Sequence, residues 1–109
     1  PGHYRSMMVA RADAPGDTLA DFNGTRFAYN EAGSQSGWAG PMAFLNSQLL
    51  SFSSHLATGA HLTSAHAVAE GRADIAGIDA LTWALIEEHD PVANRLRVIA
   101  ATPPPPGPP

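Results

Sequence analysis

Two periods of hydrophobic and polar residues succeed one another along the chain. Tyr4 to Arg11 (Tyr-Arg-Ser-Met-Met-Val-Ala-Arg) has the pattern of a strand, and Asp13-Ala14-Pro15-Gly16-Asp17 that of a turn. Thr18-Leu19-Ala20-Asp21-Phe22 predicts one helical turn closed by Asn23-Gly24, and Arg26 to Tyr29 a second, short strand. Trp38, Met42, Leu45 and Leu49 then step by four, three and four, which lines one face of a helix. Pro41 leaves two starts for that helix. A cap at Ser36 would put a kink at Pro41, whereas a cap at Gly40 would put Pro41 at the first helical position. The reading adopted is an irregular start near Gly37. His55 to Thr58 predicts a third strand, Leu62 to Glu70 a helix stopped by Gly71, and Ala73 to Ile78 a buried strand. Ala80 to His89 predicts another helix ended by Asp90-Pro91, and Leu96 to Ala101 the last strand.

Strands that alternate with helices in this way predict an α/β fold, a three-layer α/β sandwich with a largely parallel sheet. Residues 1–102 form one lobe on this reading. Thr102 to Pro109 holds six prolines and one glycine, so residues 103–109 read as an extended tail or hinge linker. Ligands of such folds sit beyond the carboxyl ends of the strands. Three strand-to-helix connections there carry polar residues: Ser34 to Gly37, Thr58 to His61, and Asp79. The richest is Glu31-Ala32-Gly33-Ser34-Gln35-Ser36-Gly37. A loop of small residues before a helix exposes unpaired N–H groups, and the helix dipole adds positive potential. With two hydroxyls and an amide, this is chemistry suited to an oxyanion.

Composition narrows the classes. A chain of 109 residues, 44% hydrophobic and 15% charged, suits one globular domain. No apolar run approaches the roughly 18 residues of a membrane span. No basic and apolar leader opens the chain, although a mature exported protein would look the same. The formal charge is −4, and all six basic residues are Arg. The absence of Lys removes a phosphate-loop lysine and a Schiff-base lysine. Scattered Arg residues form no patch for nucleic acid. The absence of Cys removes disulfides and thiol catalysis.

The chain resembles the second lobe of the substrate-binding proteins of phosphate, phosphite and phosphonate ABC importers, which are type II periplasmic binding proteins. The likeness rests on Tyr4-Arg5-Ser6 before Val9-Ala10-Arg11, Thr18 to Gly24, Asn30 to Gly37, Thr58-Gly59-Ala60-His61, Val68 to Asp74, Ala76 to Leu85, and Leu96-Arg97-Val98-Ile99. It covers essentially the whole chain. The resemblance implies that Ser34, Gln35, Ser36 and Gly37 hold a phosphorus oxyanion, with Gln35 standing where Thr is commoner. It implies that His61 and Asp79 are the cleft His and Asp. It further implies a partner first lobe of the same protein, a cognate ABC permease, a periplasmic or cell-envelope location, and no catalysis, cofactor or metal. An exposed interlobe face could also pair with a second copy.

Plainer readings stand beside these. Ser34 or Ser36 could simply cap a helix, and Asp79 could cap the helix that starts at Ala80. A carboxylate near a dianion is useful only if it accepts from a protonated P–OH or pairs with a ligand ammonium; Asp79 could do that while capping through one oxygen. His61 could be an ordinary first-turn polar residue. His66 lies about 140° around the helix from it, on the ~3.6-residue repeat, which argues against a helical zinc pair. His3, His55 and His89 read as surface or edge residues. Trp38, Met42, Trp83 and Leu85 read as core or interlobe packing. Two rival functions follow: an interaction or regulatory module that kept the fold, and an oxyanion-handling enzyme. The enzyme ranks last because no nucleophile–base pair is evident.

Overall fold

The computed structural model describes residues 5–30 and 40–102. The elements are β1 (Ser6–Arg11), β2 (Arg26–Tyr29), α1 (Gly40–Ser47), β3 (Ser54–Ala57), α2 (His61–Ala69), β4 (Ile75–Asp79), α3 (Ala80–His89) and β5 (Leu96–Thr102). One-turn 3-10 helices lie at Leu19–Phe22, as the Thr18 to Phe22 pattern predicts, and at Pro91–Arg95, which the pattern does not reveal. Ser34, Gln35, Ser36, Gly37 and Trp38 fall outside the described residues, as does the tail 103–109.

The period-two pattern of the strands feeds two cores. Val9, Ala28, Ala76 and Ile78 face α2 and α3, where Ala65, Val68, Trp83 and Ile86 cover them. Met8, Ala10, Phe27 and Ile75 face the other way, onto Leu45 of α1 and Phe22. The three-layer sandwich follows. Small residues at Ala28, Ala65, Ala69 and Ala76 let α2 lie close on the sheet. Of the two expected places for Leu85, the core of this lobe is excluded: it is 53% exposed, because Trp83 and Ile86 take the inward face of α3.

The sheet order is β3-β2-β4-β1-β5. Pairings β2–β3 and β2–β4 are parallel, while β1 is antiparallel to both β4 and β5. Four strands therefore run one way, as expected, but β1 is inserted against them and makes the sheet mixed. From β2 the chain passes over one face through α1 to β3, then over the opposite face through α2 to β4. Strand β2 is thus a topological switch point, the place where open α/β sheets form a crevice.

A clamp fixes the opposite end of this pair. Arg26 donates from Nε to Asp74 Oδ2 (2.9 Å) and from Nη2 to Asp74 Oδ1 (3.1 Å) and the Gly71 carbonyl (3.0 Å). Their backbones close the ring: Arg26 N donates to Asp74 Oδ2, and Asp74 N to the Arg26 carbonyl, both at 2.9 Å. Hydrogen bonds from Arg26, opposed by slight desolvation, hold the Asp74 carboxyl below its ordinary range.

Helices α1 and α2 end by the same device with different residues. In α2, Arg72 N bonds the Ala67 carbonyl (2.8 Å) and Gly71 N the Val68 carbonyl (3.1 Å), with Gly71 at φ +83°. In α1, Leu50 N bonds the Leu45 carbonyl (2.9 Å) and Leu49 N the Asn46 carbonyl (3.1 Å), with Leu49 at φ +59°. Both are Schellman closures, whose left-handed position favours glycine. Leu49 was expected on the buried helical face; the closure turns it outward and leaves it 91% exposed.

Two stability outcomes follow. Phe27 is fully buried, with its ring stacked on Phe52 at a centroid distance of 4.8 Å. Phe27→Ala is expected to cost about 3–5 kcal/mol in urea unfolding. Leu49→Gly is expected to raise stability by about 1 kcal/mol in the same assay, since it relieves a left-handed residue and buries nothing less.

Candidate functional site

The site begins where β2 and β4 separate. Their ladder covers two residue pairs, Phe27 with Ile75 and Ala28 with Ala76. Beyond these, β4 stays on β1 as far as the pairing of Asp79 with Ser6. The end of β2 is held elsewhere, by the loop that leads into α2. Thr58 donates to the Tyr29 carbonyl from N (2.8 Å) and from Oγ1 (3.1 Å), and Gly59 N donates to the Asn30 carbonyl (2.9 Å). Gly59 makes the turn at φ +92°, and Thr58 Oγ1 shares a 2.7 Å hydrogen bond with Ser64 Oγ.

His61, the first residue of α2, fills the resulting gap. Its Nε2 lies 3.4 Å from Nδ2 of Asn30, and the ring also engages the Gly77 backbone on β4. Burial pushes the imidazole below its ordinary pKa; the Asp79 charge and the Gly77 hydrogen bond oppose this only in part. The ring is therefore neutral at neutral pH. The N-cap of α2 is Ala60, which has no side-chain oxygen, so this helix start has no side-chain cap from that position.

Asp79 ends β4 and caps α3. Its Oδ2 accepts from Leu81 N (3.1 Å), Thr82 N (3.1 Å) and Thr82 Oγ1 (3.4 Å). All these bonds go to one oxygen, and Oδ1 takes no part in the cap. The expectation of a cap through a single oxygen is met. The charge of Asp79 thus reaches the His61 ring, 18 positions earlier in the chain, at the carboxyl end of β4. Ser34, Gln35, Ser36 and Gly37 come in the chain five to eight positions after Tyr29, the end of β2, but lie outside the described residues. Asn30 was missed as a site residue. Its signal is its position as the polar residue that directly follows a switch-point strand, before that loop. Its Oδ1 is buried with no hydrogen-bond partner among the described residues.

A cavity of about 410 Å³ lies at the other end of the sheet, between Arg11, Phe22, Arg26, Val68, Gly71 and Asp74. Its charges are spent on one another: Arg26 on Asp74, Arg11 on Asp13, and Asp21 on the Asp17 and Thr18 N–H groups. It is a structural joint. Among the described residues, the carboxyl-end crevice instead combines a neutral imidazole, a carboxylate whose Oδ1 takes no part in the cap, and a helix start with no side-chain cap from Ala60. Such a set can donate to an anion's oxygens and accept from a protonated oxygen or an ammonium.

Residues 2–109 match the family model described as "ABC transporter, phosphonate, periplasmic substrate-binding protein". Comparison with curated protein sequences gave no match. Among solved structures, the chain is similar to a binding-protein component of an ABC phosphonate transporter from Pseudomonas aeruginosa, with 26% identity and a TM-score of 0.81, over 98% of this chain and 38% of that one. It shares its fold with PhnD1 from Prochlorococcus marinus in complex with methylphosphonate (20% identity, TM-score 0.85, 94% of this chain and 42% of that one). It also shares its fold with the CcmR regulatory domain of Synechocystis in complex with 2-PG (20% identity, TM-score 0.70, 88% and 46%). The chain therefore spans less than half the length of these structures. The match along nearly its entire length establishes that the chain belongs to the family of periplasmic substrate-binding proteins of phosphonate ABC transporters.

Proposed function

We propose that this lobe forms one wall of an oxyanion-binding cleft in the solute-binding component of an ABC importer. The ligand is a phosphonate, phosphite or phosphate-like group held by Ser34, Gln35, Ser36 and Gly37, with His61 and Asp79 setting its orientation and protonation state. A first lobe of the same protein supplies the opposite wall, the loaded protein delivers to a membrane permease, and the work is done in the periplasm without catalysis. The observation that carries this reading is the placement of His61 against Asn30 beside the end of β2, within reach of the Asp79 charge. The methylphosphonate complex of a protein with the same fold supports the ligand class. A second reading, a regulatory module responding to a phosphorylated metabolite, draws on the fold shared with the CcmR domain. Dependence of phosphonate uptake on the gene in living cells supports the importer; retained uptake in a deletion strain favours the regulator.

Calorimetric titration of the full-length protein with phosphite, methylphosphonate, aminoethylphosphonate, phosphate and sulfate tests the site. Ser36→Ala and Asp79→Asn are each expected to weaken binding of the preferred anion by about 1–3 kcal/mol. Asn is as good an N-cap as Asp, so Asp79→Asn should leave the thermal midpoint nearly unchanged. Unaltered affinity in both variants would defeat the site assignment.

The buried imidazole also makes a stability prediction. A His whose folded pKa is depressed binds its proton more weakly when folded than when unfolded. Its contribution is thus intact above the unfolded value of about 6.5 and is lost as pH falls from there through the folded value. Stability of the ligand-free protein should decline over that window, and His61→Gln should flatten the decline in urea titrations between pH 7 and 5.

A further inference from the structure

Asn30 is the polar side chain at the switch point that the functional reading leaves unused. Its backbone is pinned, since its carbonyl accepts from Gly59 N and the preceding Tyr29 carbonyl accepts twice from Thr58. Strand alternation aims its side chain to the face of Ala28, where α2 lies, and its amide meets His61 there. In the present arrangement the amide nitrogen points at Nε2 and donates, so Nε2 accepts and the neutral ring carries its proton on Nδ1. Asn30 Oδ1 is turned into buried space without a partner among the described residues. A buried carbonyl oxygen in that state is costly, and a half-turn of the amide exchanges it with the Nδ2 that faces the ring. Rotation presents Oδ1 to Nε2. That orientation is favourable only when Nε2 carries a proton.

We infer that Asn30 is a positioning residue whose amide rotates to couple proton uptake at His61 to the arrival of an anion. In the unloaded state Nδ2–H donates to a neutral ring. When a dianionic ligand enters, its charge favours the imidazolium. A proton from solvent binds Nε2, the amide turns, and Oδ1 accepts from Nε2–H. Nδ1 keeps its proton throughout. The proton offsets part of the ligand's charge beside Asp79, the titratable group among the described residues that acts on the ring from β4. This inference rests on the proposed binding reading, and its test has one readout that does not.

In ligand-free, histidine-labelled full-length protein, nitrogen-15 shifts of His61 are expected to report the Nδ1–H form. Asn30→Leu, which fills similar space without an amide, should abolish that bias. Asn30→Asp, which can only accept from the ring when ionised, should raise the His61 titration midpoint by one unit or more. Titration of methylphosphonate in buffers of differing ionisation enthalpy is expected to show uptake of up to one proton per ligand in the wild type. In Asn30→Leu the uptake should vanish and affinity should fall about tenfold, the size expected for one charge-assisted hydrogen bond. In Asn30→Asp uptake should also fall, because the proton is already bound. Tight binding with unchanged tautomer and unchanged uptake in both variants would overturn the role of Asn30 and leave the binding site standing. A folded wild-type protein that binds none of the oxyanions would remove both.

Discussion

The brevity of the β2–β4 ladder governs the rest of the structure. Two residue pairs hold these parallel strands together, and the Arg26–Asp74 clamp secures them at one end only. Past Ala28 and Ala76 each strand follows a different neighbour: β4 follows β1, and β2 follows the loop leading to α2. A gap opens at the carboxyl ends because the pairing energy has been committed at the amino ends. His61 occupies the gap, and Asn30 and Asp79 stand at its edges. The joint and the crevice are two ends of one arrangement.

The two helix starts described at the crevice are treated differently. Helix α3 receives a carboxylate cap from Asp79, which compensates its first-turn N–H groups and its dipole. Helix α2 starts after Ala60, where a serine or aspartate would stabilise it by about 1 kcal/mol. One end is electrically settled and the other retains positive potential. A neutral His61 at the second end adds no full charge to that potential, and burial is what keeps the ring neutral.

Local order was largely legible in the chain. Strand and helix segments follow from period two, period 3.6 and the turn residues, and Gly71 marks the end of α2 as a left-handed residue should. The insertion of β1 between β4 and β5 was not legible, because strand order depends on pairings between Ser6–Arg11 and residues 65 to 96 positions away. Leu49 misled the helical pattern because the periodicity of apolar residues does not reveal where the closing hydrogen bonds will form. The choice of His61 and Asp79 as candidates rests on the family likeness, and the structure brings the Asp79 charge to the His61 ring. The contact of Asn30 with His61 spans 31 positions, and neither residue type alone announces it. Leu85 stays outside the core of this lobe because α3 buries a narrow stripe, which Trp83 and Ile86 already fill.

Asp79 carries a further consequence. A free aspartate loses rotational entropy when it grips a partner, and that loss subtracts from affinity. Here three bonds to Oδ2 freeze the side chain as soon as α3 forms. Whatever reaches Oδ1 meets a preorganised acceptor whose immobilisation was completed during folding, so its release requires no melting of the carboxylate's own anchorage.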